Sequence, residues 1–306
     1  MKSKRFFKSE IKFLLILILI IILPIIIVGG SKLRKRDFKY YLLNKDYDKL
    51  YTFIRYPSFT KKVFEKYMSY NFSGDFEIIE DKRVNGYRFI TVKTDKGEKI
   101  ISLSLEDGKE YWFFNDYAND FYIEAPLNAK VFIEDMVYIN TTGRLKVEKL
   151  PLALYDVEAV LENCIPFRKK ILAGQNFKIE MKLKEEAIKT CLKSIEDYYN
   201  FYQNSINTLK IQDISVLDKN SGLYKEVLDE IAWNKDLGNK VKKKILSYEL
   251  KEAILEKENI KLKIKEKWEI KIDDGKKQSQ KSEEYEKYYI FLYSKPNLIS
   301  QIITNK

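Results

Sequence analysis

Residues 13–28 form an uninterrupted apolar run, preceded by Lys2, Lys4, Arg5 and Lys8 and followed by Lys32, Arg34, Lys35 and Arg36. With Ile11 and the Gly29-Gly30-Ser31 edge it approaches the ~20 residues that cross a hydrocarbon core of about 30 Å, and Lys12 can snorkel toward the headgroups. No later stretch is comparably apolar. The expectation is a single-pass membrane protein: a cytoplasmic tail at 1–10, a transmembrane helix at 11–31, a basic linker at 32–37, and the rest of the chain on one side. A cleaved secretory signal is the alternative, but a signal core is typically only about 7 to 15 residues and the Ala-x-Ala pattern is absent. Pro24 is tolerated in a membrane helix. The two basic flanks are nearly equal, so charge hardly sets orientation. A large C-terminal region translocates largely regardless of charge, which favours a cytoplasmic N-terminus with the bulk of the chain extracytoplasmic.

The remainder is long enough for two or three domains. An apolar fraction of 45%, with 22 Tyr and 18 Phe, can fill cores. Lys and Arg number 56 against 45 Asp and Glu, and the net charge of +11 is spread through mixed-sign stretches. That pattern suits solvated faces with some attraction for anionic envelope polymers or lipid headgroups. No basic block accompanies a recognisable nucleic-acid-binding motif, so nucleic acid is not an expected partner. The chain has no histidine, which removes Ser-His-Asp and Cys-His constellations and most zinc sites. Cys164 and Cys191 cannot build a disulfide framework; free, partly buried thiols are expected, with a single bridge as the alternative.

Hydrophobic spacing predicts a helical pair over 37–71, broken at Tyr56-Pro57-Ser58. Short strands follow over 76–79, 87–94, 99–105 and 111–114, separated by Asn85-Gly86, Asp95-Lys96-Gly97 and Glu106-Asp107-Gly108 turns. Together these give an α+β domain at 38–118. Strands at 129–133 and 154–161, with the Leu150-Pro151-Leu152 corner, give a small β-sandwich at 119–182. An amphipathic helix over 184–209, a second helical stretch around 223–233, and strands over 245–255, 260–272, 285–293 and 298–303 complete an α+β domain at 183–306. Trp233 and Trp268 are both expected in its core.

The stretch from Pro126 to Ala159, with Ala129, Val131, Ile133, Leu150, Pro151, Leu154, Tyr155 and Val157, resembles the PEGA type of surface β-sandwich. Ala153 and Met136 stand where that pattern has glycine. Helices followed by four antiparallel strands resembles the NTF2-like cone, a curved sheet wrapped around its helices. Membrane helix, mixed domain, PEGA-like sandwich and NTF2-like domain in that order resemble the TcaA-like envelope proteins of low-GC Gram-positive bacteria, most specifically over 38–48 and 125–160. That resemblance implies a cell-envelope protein associated with the wall and with glycopeptide antibiotic response. Many such proteins begin with a cytoplasmic zinc ribbon, and no cysteine precedes the apolar run here.

One residue breaks the apolar face of a predicted strand. Over 260–272 the even positions are Ile260, Leu262, Ile264, Trp268, Ile270 and Ile272, with Glu266 as the lone charge among them. In a cone such a carboxylate would line a pocket, binding a cationic or hydroxylated ligand or acting as a base. The alternatives are a bulge at 265–267 that turns it outward, or pairing with a buried Tyr or Lys. Tyr198, Tyr199 and Tyr202, with Asp197, would line the mouth of the same pocket, so that Glu266, Tyr198, Tyr202 and Trp268 are the expected ligand-binding residues; core packing is the competing reading. Lys242, Lys243 and Lys244 read as a solvated turn before a strand or as a contact for anionic wall polymer. No phosphate loop, metal-ligand cluster or nucleophile elbow is present, and no cofactor or enzymatic activity is expected. The function expected is a non-catalytic envelope protein that binds wall components or partner membrane proteins. The alternatives are an NTF2-like small-ligand or enzymatic domain using Glu266, and a structural spacer.

Overall fold

The structure is a computed structural model that describes residues 37–305. The transmembrane helix expected over 11–31 lies outside the described residues. Among the described residues no helix is long and apolar enough to cross a membrane. The chain divides between Asp116 and Tyr117 into two compact units.

In the first unit three helices are each started by a side-chain cap. Asp37 accepts from the Tyr40 amide ahead of α1 (Phe38–Leu43), Asp46 from Lys49 ahead of α2 (Tyr47–Tyr51), and Thr60 from Val63 ahead of α3 (Lys61–Phe72). Each cap satisfies an amide that the first helical turn leaves without a partner. The antiparallel sheet β1 (Glu77–Val84), β2 (Tyr87–Thr94), β3 (Gly97–Glu106) and β4 (Lys109–Trp112) follows in chain order. Asn85-Gly86 and Asp107-Gly108 all have positive φ, the backbone that a two-residue hairpin turn requires. The core is aromatic, with Trp112 edge-on to Phe38 at 5.1 Å and to Phe64 at 5.6 Å.

The second unit begins with seven short strands: β5 (Phe121–Glu124), β6 (Lys130–Ile133), β7 (Met136–Ile139), β8 (Arg144–Val147), β9 (Leu154–Val160), β10 (Phe167–Leu172) and β11 (Phe177–Lys178). They form one sheet ordered β10-β9-β6-β7 and another ordered β11-β5-β8, in which β11 runs parallel to β5. Alternate residues Val131, Ile133, Tyr155, Val157 and Ala159 are buried, as the period of two demands. Helices α4 (Glu185–Thr208) and α5 (Gly222–Asp236) come next. They precede the long antiparallel strands β12 (Lys240–Glu256), β13 (Asn259–Asp273), β14 (Gln278–Leu292) and β15 (Lys295–Asn305), paired in chain order. Helix α4 packs on both edge strands, β12 and β15, and buries Ala187, Cys191, Ile195, Tyr199 and Ile206. The short strands are tied to this part by main-chain bonds: Ile165 N donates to Lys182 O at 2.8 Å and Lys184 N to Asn163 O at 2.9 Å.

This corrects the expected class. In place of the expected α+β domain, small β-sandwich and NTF2-like α+β cone, the described residues are mostly β, with 46% of them in strands and 23% in helices, arranged in four sheets. The physical reason is strand length. The last four strands run 17, 15, 15 and 11 residues, because their alternation continues through the polar Lys- and Glu-rich ends that pattern-reading trims off. Trp233 is a second correction. It is 59% exposed on α5, whereas Trp268 is buried.

Candidate functional site

Glu266 sits where the alternation of β13 puts it, on the buried face. The β13–β14 ladder is regular from Asn259 to Asp273, and the register shifts fall on β12 instead, between Ile245 and Ser247 and between Leu250 and Glu252. Ile264 pairs directly with Lys287 and Leu262 with Tyr289, and cross-strand partners share a face. Lys287 and Tyr289 are thereby aimed at the same buried layer as Glu266.

The carboxylate is fully buried and held by four groups of its own chain. Oε1 accepts from the Tyr199 hydroxyl at 2.9 Å and from the Tyr289 hydroxyl. Oε2 accepts from Trp268 Nε1 at 2.8 Å and lies 3.0 Å from Lys287 Nζ, whose side chain is 19% exposed. A carboxylate offers about four acceptor positions; three take hydrogen bonds from Tyr199, Tyr289 and Trp268, and the Lys287 ammonium is paired against the same group. Burial first, and the nearby Glu266 charge second, push the Tyr199 and Tyr289 hydroxyls far above the ordinary tyrosine range, so both remain protonated donors.

The other sequence candidates gather beside it. The Tyr198 and Tyr202 rings stack at 5.9 Å, and Tyr202 meets Trp268 edge-on at 5.6 Å. The Tyr202 hydroxyl donates to Glu230 Oε2 at 2.6 Å and accepts from Lys243 Nζ at 2.5 Å, while Lys243 also pairs with Glu230. Burial raises the Tyr198 and Tyr202 pKa values well above the ordinary range. Glu266, Tyr198, Tyr202 and Trp268 are thus brought together in one aromatic and charged cluster, closed by Tyr199, Tyr289, Lys287, Glu230 and Lys243. Asp197 lies apart, paired with Lys193 at 3.0 Å. Lys242, Lys243 and Lys244 are not a turn: they lie inside β12, so Lys243 points inward and its two neighbours outward.

A comparable closed cluster occurs in the first unit, built from residues that the sequence pattern did not mark. Arg88, 4% exposed, donates to both Asp81 oxygens at 2.9 Å, to Asp37 at 2.8 Å and to Glu110 at 2.7 Å. Hydrogen bonds from Arg88 hold the Asp81 carboxyl down at about 2. Among the described residues no group of three or more His, Cys, Asp or Glu is placed to hold a metal ion. Cys164 and Cys191 are free and buried, and burial pushes their thiols up to about 11 and about 12.

An open concavity of about 960 Å³ lies elsewhere in the second unit. Its walls are the segments 124–127, 142–144, 178–183 and 253–255, with Ile188 of α4 and Lys257. Leu127, Ile179, Met181, Leu183, Ile254 and Leu255 supply an apolar lining, and Arg144, Lys178, Lys182 and Lys257 supply basic groups against Glu124 and Glu180. Lys178 is paired with Glu180. Among the described residues Arg144, Lys182 and Lys257 are in no ion pair, and Arg144 instead lies over the Tyr122 ring at 3.9 Å. Sequence periodicity could not reveal this groove, because its walls come from four segments scattered along the unit.

No family model matches the chain, and no curated protein matches it. Among solved structures, the intermembrane space region of the chloroplast protein ARC6 is similar over 38% of this chain and 94% of that one, at 14% identity and a TM-score of 0.32; a likeness of that size does not define the fold.

Proposed function

We propose that the protein is a non-catalytic envelope protein, held at a membrane by its N-terminal apolar run, that binds wall components or partner membrane proteins with the chain beyond the run. The observation that carries this reading is the internal saturation of Glu266. A general base needs a free lone pair within reach of a substrate proton, and here Tyr199, Tyr289, Trp268 and Lys287 take the positions a substrate would need. The open groove, by contrast, has an apolar lining and basic groups suited to binding. Location rests on the sequence: the residue 13–28 run between basic clusters, and the resemblance of 38–48 and 125–160 to TcaA-like envelope proteins.

The test incubates the full-length protein with isolated Gram-positive cell walls, and in parallel cross-links it in membranes. The expected result is retention on walls or cross-linking to membrane proteins, with no soluble fragments released from the walls. Release of fragments that Glu266→Gln slows by about 10²–10⁴, the range for losing a general base, would overturn the reading. So would neither retention nor cross-linking.

A further inference from the structure

The groove in the second unit is lined by consecutive residues, and this fixes its geometry. Ala253, Ile254 and Leu255 of β12 all face it, as do all six residues from 178 to 183. In a strand successive side chains point to opposite faces. Three in a row can therefore border one concavity only if it runs along the strand's edge. That edge is free among the described residues: β12 pairs with β13 alone, and Ala253, Ile254 and Leu255 have Leu262, Lys261 and Ile260 as partners on that side. The opposite wall is the segment from Lys178 to Leu183. Past β11 the segment belongs to no ladder up to the single bridge at Leu183, though Ile179 N donates to Glu124 O and Lys182 O accepts from Ile165 N.

We propose that this groove takes an extended peptide segment of a protein partner, with alternating apolar and acidic residues, which adds as a strand to the β12 edge. This rests on the binding reading above and names the partner class. An exposed strand edge presents unpaired main-chain donors and acceptors that another strand can pair. The apolar lining of Ile179, Leu183, Ile254 and Leu255 receives every second side chain. Lys182 and Lys257, which among the described residues have no carboxylate partner, face the acidic residues in between, and complementary rim charge steers and registers such a segment.

The probe is a fluorescein-labelled octapeptide of four Val-Glu repeats, titrated against the full-length protein by fluorescence anisotropy. Saturable binding is expected. It should weaken by about tenfold or more when Lys replaces Glu in the peptide, and similarly in the double variant Lys182→Glu, Lys257→Glu. N-methylation of alternate peptide bonds should weaken it as much, because that removes the ladder donors while keeping charge and apolar area. Both lysines are exposed, so the variant is expected to keep the parent's unfolding midpoint, which is measured alongside. Ile254→Glu, at the half-buried edge, serves as a second variant and should also lose binding. No binding of the Val-Glu peptide, equal binding of its N-methylated form, or undiminished binding by both variants would overturn the assignment. Wall retention and membrane cross-linking are measured on the same double variant. If the peptide result fails while they persist, the groove assignment falls alone; if they fail in the parent protein, the binding reading falls too.

Discussion

At the scale of the residue, Glu266 shows how a buried charge is made tolerable. Taking a carboxylate out of water costs several kcal/mol unless its lone pairs are met, and here two hydroxyls, an indole N–H and an ammonium meet them. Glu266→Ala removes the acceptor of all four at once and leaves Lys287 without its counter-charge. Breaking a buried pair in this way costs about 3–5 kcal/mol. The lower end is expected, because Lys287 keeps 19% of its side chain in solvent. A urea titration followed by tryptophan fluorescence should show the midpoint falling accordingly, and a loss below about 1 kcal/mol, the size of an ordinary surface change, would show that the network is not structural. The position was legible in the sequence because a strand of period two exposes any charge that breaks its apolar face. Its partners were not. Lys287 and Tyr289 belong to the neighbouring strand, and only the register of β13 against β14, set by the Asp273 to Gln278 connection, decides which of its residues share a layer with Glu266.

Between elements, the Arg88 cluster does for the first unit what Glu266 does for the second. A guanidinium from β2 reaches Asp81 of β1, Glu110 of β4 and Asp37, the cap of α1, so one buried side chain ties three strands and a helix start. Arg88 stays charged throughout, its pKa raised chiefly by the hydrogen bond to Asp81. The carboxylate is the group that titrates. Its folded pKa is depressed to about 2 from an ordinary 3.8, so its contribution is fully present above the ordinary value and is lost as pH falls through the folded one. Urea midpoints measured from about pH 5 down to about pH 2 should fall more steeply for the parent than for Asp81→Asn, which has no such proton to take up. Parallel slopes for the two would show that the Arg88–Asp81 contact adds nothing. Helical character over 37–71 and the hairpin turns of this unit were legible from hydrophobic spacing, Pro57 and the Asn85-Gly86 and Asp107-Gly108 pairs, which act locally, whereas the caps that divide the stretch into three helices were not marked. The latch was not, because Asp37, Asp81, Arg88 and Glu110 look like any surface charges until the sheet order places them together. The same limit explains Trp233: helical spacing marks a residue as one of an apolar set, and only packing decides that this one faces water.

For the whole molecule, hydrophobic spacing pointed to a helical pair where three short helices lie and to two strands over 119–182 where seven form, and it missed the balance between helix and strand. Alternation fades at strand ends rich in Lys and Glu, and those ends are where β12, β13 and β14 gain the length that makes the described residues mostly β. The proposed anchoring by the apolar run at 13–28 raises a different question, which side of a membrane the two units would occupy, and the two cysteines turn that into a measurement. Both lie in the second unit and both are buried as free thiols. Burial raises Cys164 to about 11 and Cys191 to about 12, so at neutral pH each is both inaccessible and protonated, and the thiolate is the reactive form. Folded protein on intact cells should therefore resist a membrane-impermeant maleimide. Mild denaturation of surface proteins, with the membrane left closed, removes the burial and returns the thiols toward their ordinary reactivity. If the units are extracytoplasmic, both cysteines should then label without lysis, and Cys164→Ser and Cys191→Ser should each halve the signal. Labelling that appears only after lysis would place the units in the cytoplasm and remove wall components from the ligands the protein can meet.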